Sequence, residues 1–450
     1  MFTEEYIKHH KTTALLAYPL CLSQLGQIMV GVVDTAMVGH LGTIPQAAVA
    51  LANSVFMAVL VFGIGVSFGI TPMVAIADSN KNEHESALLL KNGLLVNVFT
   101  GIVLFAFLYF ATPLMKDLGE PTNIVSLAIP FFSVLLFSMI PLSFFFTFKQ
   151  FAEGLSRTRI AMLISIAGNI LNVILNYIFI FGKCGMAPMG IMGSCWASFY
   201  ARVFMAIGMF LYVFYDAYFK PYWKNFFSDE AFYSIPLIRK IIGIGVPTGF
   251  QFVFEVATFS FAAIMTGWIG AVPLAAHQIA LSIAAITYMV ASGLGAASCV
   301  RIGNQFGLKN KKSIQHVGFS SYFMVICFMT CSAILFILFR NKLPLIFTND
   351  PNVISVASSL LVIAAFFQLS DGIQVVGLGL LRGMKDVKIP TLITFIAYWA
   401  IGLPCSYLLA FKFGMGVQGV WYGLLLGLTA SAGLLFLRFK HILKGIKATA

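Results

Sequence analysis

Long apolar stretches follow one another along almost the whole chain, and they constrain the fold more than any other feature. The chain has 450 residues, of which 60% are hydrophobic and only 10% are charged. Soluble domains carry about 25% charged residues. Each stretch is about 20 to 30 residues long, which lets an α-helix cross a hydrocarbon core of about 30 Å. The sequence therefore predicts an all-α integral membrane protein.

Twelve transmembrane helices are predicted from these stretches. Their approximate ranges are 13–39, 46–77, 88–112, 124–151, 159–182, 190–215, 240–268, 273–305, 313–340, 353–381, 389–411 and 417–438. Lys and Arg are concentrated at both termini and in the loops after even-numbered predicted helices. By the positive-inside rule, both termini are expected in the cytoplasm, which agrees with an even number of crossings. The net charge of +12 thus indicates membrane topology and not nucleic-acid binding.

The two halves of the chain repeat each other. When they are aligned, Pro19 falls on Pro247, and the segments GHLGTIPQAA and GWIGAVPLAA match without a gap. This repeat predicts two pseudo-symmetric six-helix lobes, residues 1–216 and 240–450, joined by a cytoplasmic connector, 217–239, with an interfacial helix. The second lobe ends in a cytoplasmic tail. In transporters with parallel repeats, substrate binds near the bilayer midplane between the lobes.

Three acidic residues, Asp34, Glu255 and Asp371, lie inside apolar stretches. An ionised carboxylate at the centre of a bilayer costs about 3 kcal/mol even on the lenient insertion scale, and such residues usually bind a cation or a proton. The acids are not symmetry mates, because the repeat places Glu255 on Gln27 and Asp34 on Ala262. Each lobe is therefore expected to have its own ionisable site. The alternative is a carboxyl group held protonated by apolar surroundings.

Polar side chains share helix faces with these acids, since residues three or four apart lie on one side of a helix. In the first half the set is Asp34, Asn172, Asn176 and Ser198, with Gln27 as a candidate for the substrate cavity. Carboxylate, amide and hydroxyl oxygens are hard ligands that suit Na⁺ or a proton relay. For the Asn and Ser residues alone, interhelical hydrogen bonding without further function is an open alternative.

In the second half, Gln251 shares a face with Glu255, and Gln374 shares a face with Asp371. The predicted cavity residues here are Gln251, Gln278, Tyr288 and Gln374.

Pro19 lies inside the first predicted helix. A proline there removes a backbone hydrogen bond and permits a bend, so it is a candidate hinge. A static kink is the alternative.

The sequence contains no signature of an enzyme. It has no GxxxxGK[ST] loop, no HExxH and no nucleophile elbow with partner residues. No cofactor is expected, and the energy for any transport is expected from an ion gradient.

Three segments, VGVVDTAMVGHLG, PLAAHQIA and VRIGNQFG, resemble the multidrug and toxic compound extrusion family. Glu255 and Asp371 resemble its NorM-like bacterial branch in particular. The resemblance implies a multi-pass protein of the bacterial inner membrane that exports small organic cations, such as drugs and dyes, in exchange for Na⁺ or H⁺. It implies membrane lipids as the surroundings, and such a transporter can work as a monomer.

Carried over residue by residue, the resemblance places a second-lobe cation site at Glu255 and Asp371, with Na⁺ as the candidate ion. It places a first-lobe site at Asp34, Asn172, Asn176 and Ser198. Some relatives have Asp where this chain has Asn176, and Thr is common where this chain has Ser198. Asp34 is then the only carboxylate of the first-lobe set, and a proton is an alternative to Na⁺ there.

Two rival functions remain. A flippase for a lipid-linked saccharide, from the same superfamily, would need basic side chains in its cavity to meet the diphosphate. Arg202 is the only basic residue that the sequence places in a helix interior. A non-transporting receptor or assembly factor would leave the buried acids in both lobes unexplained.

Overall fold

All twelve predicted spans are present in a computed structural model of the chain, which describes residues 4–117, 119–227 and 233–446. Each span is long and apolar enough to cross a membrane. No strand occurs within the described residues. The predicted all-α, multi-pass fold class is confirmed.

Eight α-helices make up the first six spans. They are α1 Glu4–Gly39, α2 Thr43–Ser67, α3 Ile70–Ser79, α4 Glu83–Ala111, α5 Thr122–Phe137, α6 Met139–Gly154, α7 Thr158–Phe181 and α8 Ile191–Tyr215. Helices α2 and α3 form one span, as do α5 and α6. The helix predicted over 124–151 is therefore interrupted at Ser138, which lies between α5 and α6.

The remaining helices begin with α9 Lys220–Phe226, a short helix within the segment predicted as the connector. They continue with α10 Ile235–Ile269, α11 Ala271–Gly307, α12 Lys311–Leu338, α13 Pro351–Gly383, α14 Lys388–Phe395, α15 Leu403–Tyr407 and α16 Gly416–Gly445. The helix predicted over 389–411 includes two π-helical segments, Ile396–Gly402 and Leu408–Lys412. Residues 228–232 of the predicted connector and 447–450 of the predicted tail lie outside the described residues.

The chain divides into two compact units. One contains Leu22–Gly249, and the other contains Met1–Cys21 together with Phe250–Ala450. The units are defined by packing, whereas the lobes 1–216 and 240–450 are defined by the internal repeat. The lobe boundaries stay a prediction.

A glycine allows close packing between α7 and α8, the two helices that carry the predicted Asn and Ser residues. In the unit Leu22–Gly249, a Cβ on Gly193 would lie 2.6 Å from the carbonyl carbon of Phe179, so α8 rests directly on the backbone of α7. Small residues at such contacts let membrane helices approach closely. This contact brings the Asn face of α7 against the Ser face of α8.

The unit that contains Phe250–Ala450 has an apolar core around α13 and α16. Trp421 and Leu360 are buried in it, next to Phe367 and Leu424. Trp421 donates a hydrogen bond from Nε1 to Nδ1 of His277 at 3.1 Å. His277 thus has a structural partner within its own unit.

Candidate functional site

The carboxylate of Asp34 is buried on α1 with 8% of the residue exposed. Asn176 donates a hydrogen bond from Nδ2 to Oδ1 of Asp34 at 2.5 Å. Ser198 donates one from Oγ to Oδ2 at 3.2 Å. Each carboxylate oxygen therefore has a donor from a different helix.

The hydrogen bonds continue along α7. Asn172 donates from Nδ2 to Oγ of Ser198 at 3.1 Å, and its Oδ1 accepts from Asn176 at 3.1 Å. The Oδ1 atom of Asn176 is buried and has no partner. The structure thus brings together all four predicted residues of the first-lobe set, and one amide oxygen remains available to a proton donor or a cation.

Arg202 completes this group, and sequence reasoning did not connect it to Asp34. It lies on α8 four residues after Ser198, which puts both on one helix face. Its Nη1 donates a hydrogen bond to Oγ of Ser138, and its guanidinium lies 4.9 Å from the ring centre of Phe56. The guanidinium interacts electrostatically with Asp34. The spacing of four residues between Ser198 and Arg202 is the sequence signal that could have assigned Arg202 to this group.

A cavity of about 120 Å³ adjoins this group within the unit Leu22–Gly249. Its polar lining residues are Gln27, Ser165, Asn169, Asn172, Ser198 and Arg202, and the rest of its wall is mainly apolar and aromatic. Asp34 is not among the lining residues. The predicted cavity residue Gln27 therefore lies at a cavity wall.

Glu255 on α10 and Asp371 on α13 form the second group. Both are buried, with 7% and 5% of the residue exposed. The two carboxyl groups interact electrostatically, and the Tyr288 hydroxyl on α11 interacts with Glu255. Arg382 on α13 also interacts electrostatically with Glu255. The predicted residues Glu255, Asp371 and Tyr288 are thus brought together, whereas the role of Arg382 was missed.

Three amide side chains, those of Gln251, Gln368 and Gln374, lie about one helical turn from these acids along α10 and α13. Gln374 donates from Nε2 to the Tyr398 hydroxyl at 2.5 Å, and Gln251 donates from Nε2 to Oγ1 of Thr391 at 3.0 Å. The Oε1 atoms of Gln251, Gln368 and Gln374 are buried without a partner. These oxygens could complete the coordination of a hard cation.

A bound Na⁺ at this second group would rely on the two carboxylates and on neutral oxygens. Within the described ranges, no group of three or more His, Cys, Asp or Glu side chains could hold a metal ion. A proton on either acid needs no such shell, because the charge of one carboxylate disfavours ionisation of the other.

Two further predicted residues lie away from these contacts. Gln278 is exposed near the start of α11, where its carbonyl oxygen accepts a hydrogen bond from Ser282 at 2.8 Å. Pro19 is buried inside α1, and the helix continues through it. Both roles stay predictions.

The expectation that Arg202 is the only basic residue in a helix interior is wrong. Lys149 on α6 and Arg382 on α13 are also buried. Nζ of Lys149 lies 3.8 Å from Oε1 of Glu153 and donates to Oγ of Ser23 at 3.0 Å. Lys149 lies near the end of the predicted helix, where a lysine is ordinarily assigned to the membrane surface. Its charge is met by a carboxylate one helical turn away.

Comparison with known proteins gives a consistent result. The model of a family described as MatE matches residues 19–178 and 247–408. The matches begin at Pro19 and Pro247, the two residues that the internal repeat superposes.

The relatives and structures agree with that match. The multidrug resistance protein MdtK of Yersinia pseudotuberculosis is 30% identical and covers 98% of this chain and 97% of its own. MdtK of Proteus mirabilis is 33% identical, with 95% and 94% covered. The crystal structure of the eukaryotic MATE transporter AtDTX14 matches with a TM-score of 0.88 at 19% identity, covering 98% of this chain and 99% of that one. The structural match supports the fold.

Proposed function

Since the chain belongs to the MatE family, the multidrug and toxic compound extrusion family, we propose that it is a secondary active transporter that exports organic cations in exchange for Na⁺ or H⁺. It is a multi-pass membrane transporter and not an enzyme. Its relatives are multidrug resistance proteins. The coupling ion, the cationic substrates and the membrane orientation are parts of the proposal.

The observation that carries the proposal is the pair of buried acids, Glu255 and Asp371. Two carboxyl groups that interact inside the membrane are expensive to keep ionised together. Binding of H⁺ or Na⁺ would relieve that cost, and the unpartnered oxygens of Gln251 and Gln374 would support either ion. A cation from outside is therefore the natural ligand of this group.

Exchange follows if ion and substrate compete for negative charge. In the outward-facing state the ion binds the acids, and the cationic drug is disfavoured. After the change of access the ion leaves, and the bare carboxylates attract the next drug. Each elementary charge that enters the cell across a membrane potential of 100 mV supplies about 2.3 kcal/mol to this cycle.

The two acid groups differ in what they offer an ion. Asp34 has one carboxylate and a nearby guanidinium, so Na⁺ would meet a repelling charge there. Glu255 and Asp371 provide two carboxylates, which outnumber the single Arg382. We therefore place the coupling ion at Glu255 and Asp371, with Asp34 as a proton site. This arrangement fits the NorM-like branch and a bacterial inner membrane with both termini in the cytoplasm.

The test is ethidium export by purified protein in proteoliposomes, with Glu255→Gln and Asp371→Asn compared with the wild type. Both variants should lose most gradient-driven export, because each removes one carboxylate of the pair. Glu120→Gln, at an exposed acid outside the spans, is the matched control and should export normally. Normal export by both core variants would overturn the scheme.

A further inference from the structure

Two consecutive histidines near the beginning of α1, His9 and His10, contact the helices α11 and α12 within one compact unit of the chain. Nη2 of Arg301 on α11 lies 2.9 Å from Nδ1 of His9. Oγ of Ser320 on α12 lies 2.6 Å from Nδ1 of His10. Two hydrogen bonds therefore join the beginning of α1 to two other helices.

Ring contacts accompany these hydrogen bonds. The ring centre of Tyr6 lies 4.3 Å from that of His316 on α12, and the ring centre of His9 lies 5.7 Å from that of His316. His316 is buried, whereas His9 is half-buried. His9 thus faces a titratable or charged group on each neighbouring helix, the guanidinium on α11 and the His316 imidazole on α12, and Tyr6 precedes it by three residues on α1.

The contact with Arg301 sets the protonation state of His9. A guanidinium has only N–H donors and stays charged in proteins, so Nδ1 of His9 must accept the hydrogen bond. A protonated imidazole has no acceptor, because both of its ring nitrogens are donors. Protonation of His9 would therefore place two donors and two positive charges 2.9 Å apart. The contact between His9 and Arg301 requires a neutral His9.

His10 differs from His9 because its partner is a hydroxyl group. The Ser320 hydroxyl can donate to a neutral imidazole or accept from a protonated one, so this hydrogen bond survives a change of charge. The His10 ring centre also lies 5.5 Å from that of Phe323, and an aromatic ring tolerates a cation at such a distance. Sensitivity to pH is therefore expected at His9 and not at His10.

We propose that the contact between His9 and Arg301 is a pH-sensitive clasp, which holds the beginning of α1 on α11 at neutral pH and opens when the adjoining water becomes acidic. Histidine ordinarily changes charge between about pH 5 and pH 8. The clasp is complete while His9 is neutral, and it is lost as the pH falls. Asp34 lies on the same helix, so α1 is subject to protonation at two points. The inference goes beyond the proposed transport function and does not depend on it.

Hydrogen exchange of the purified full-length protein, followed by mass spectrometry, tests the clasp. Protection factors of peptides from residues 6–21 are compared at about pH 7.5 and about pH 5.5, after correction for the intrinsic effect of pH on exchange. Wild-type protection should fall by about tenfold or more at the lower pH, the effect of losing a hydrogen bond to a charged group. Peptides from α2 should keep their protection, which excludes general unfolding by acid.

Two variants should remove this fall in protection. His9→Asn places an amide oxygen near the position of Nδ1, where it accepts from Arg301 and does not titrate, so protection should be equal at both pH values. Arg301→Gln keeps His9 but offers an amide that can donate to the neutral ring or accept from the protonated one. It should also remove the fall, and it replaces His9→Asn if that variant does not fold.

Two matched histidine variants are the controls. His10→Asn changes the neighbouring ring, and His84→Asn changes an exposed histidine at the beginning of α4. Both should retain the wild-type fall in protection. Equal protection of the wild type at both pH values, or the same fall in His9→Asn as in the wild type, would overturn the clasp. Loss of the fall in His10→Asn alone would also overturn it, since it would assign the titration to His10.

Discussion

The amide nitrogen of Asn176 lies 2.5 Å from the carboxylate oxygen Oδ1 of Asp34, although the two residues are 142 positions apart in the sequence. This contact joins α1 to α7 at the buried carboxylate. It also aligns Asn176 with Asn172 and Ser198 in one hydrogen-bonded chain. The arrangement of the first-lobe group therefore depends on the Asn176 amide.

Asn176→Ala should reduce ethidium export and lower stability. The change leaves Oδ1 of Asp34 buried without its donor, which costs about 1–3 kcal/mol. Export in proteoliposomes and the apparent Tm in detergent are the measurements. Asn80→Ala, at an exposed position, is the control. An unchanged Tm and unchanged export for Asn176→Ala would show that this hydrogen bond is dispensable.

Lys149→Met should be strongly destabilising. It leaves the buried Glu153 carboxylate without the Lys149 ammonium 3.8 Å away, and removal of one partner from a buried ion pair costs about 3–5 kcal/mol. The double variant Lys149→Met/Glu153→Gln removes both charges and should recover most of the loss. The measurement is the Tm of the wild type, the single variant and the double variant. Equal Tm values for the single variant and the wild type would contradict the prediction.

Gly379→Ala should destabilise the contact between α11 and α13. A Cβ at this position would collide with the backbone oxygen of Gly295, which cannot move without shifting α11. Overpacking of this kind costs about 1–3 kcal/mol. Gly433→Ala is the matched control, because a Cβ there meets nothing within 4 Å. The account would fail if both alanine variants unfolded at the same temperature.

Cys184 tests the proposed orientation of the chain. It is a free, exposed thiol in the loop between α7 and α8. With both termini in the cytoplasm, this loop faces outward, so a membrane-impermeant maleimide should label intact cells at Cys184. Cys184→Ser should abolish that labelling. Labelling only after the cells are permeabilised would reverse the orientation.

The helices could be predicted from the sequence because each apolar stretch has the length that a bilayer imposes. The interruption at Ser138 and the π-helical segment Ile396–Gly402 could not, since they depend on how neighbouring helices pack. Hydropathy does not register such local changes in hydrogen bonding.

The polar groups could also be predicted in part, because the spacing of residues along a helix can be read from the sequence. Helical spacing placed Asn172 and Asn176 on one face, and the structure brings that face to Asp34. The approach of Arg202 to Asp34 depends on contacts among three helices, which spacing within one helix does not reveal. Lys149 was overlooked because its partner Glu153 follows the predicted end of the helix at 151.

Export of ethidium from proteoliposomes, with Na⁺ and pH gradients imposed separately on the wild-type protein, tests the central claim most directly. The account predicts export driven by at least one inward cation gradient, and loss of that export in Glu255→Gln. Export driven by Na⁺ alone would assign Na⁺ to Glu255 and Asp371, and export driven only by the pH gradient would make these carboxyl groups proton carriers. Folded protein that exports nothing under either gradient would contradict the account.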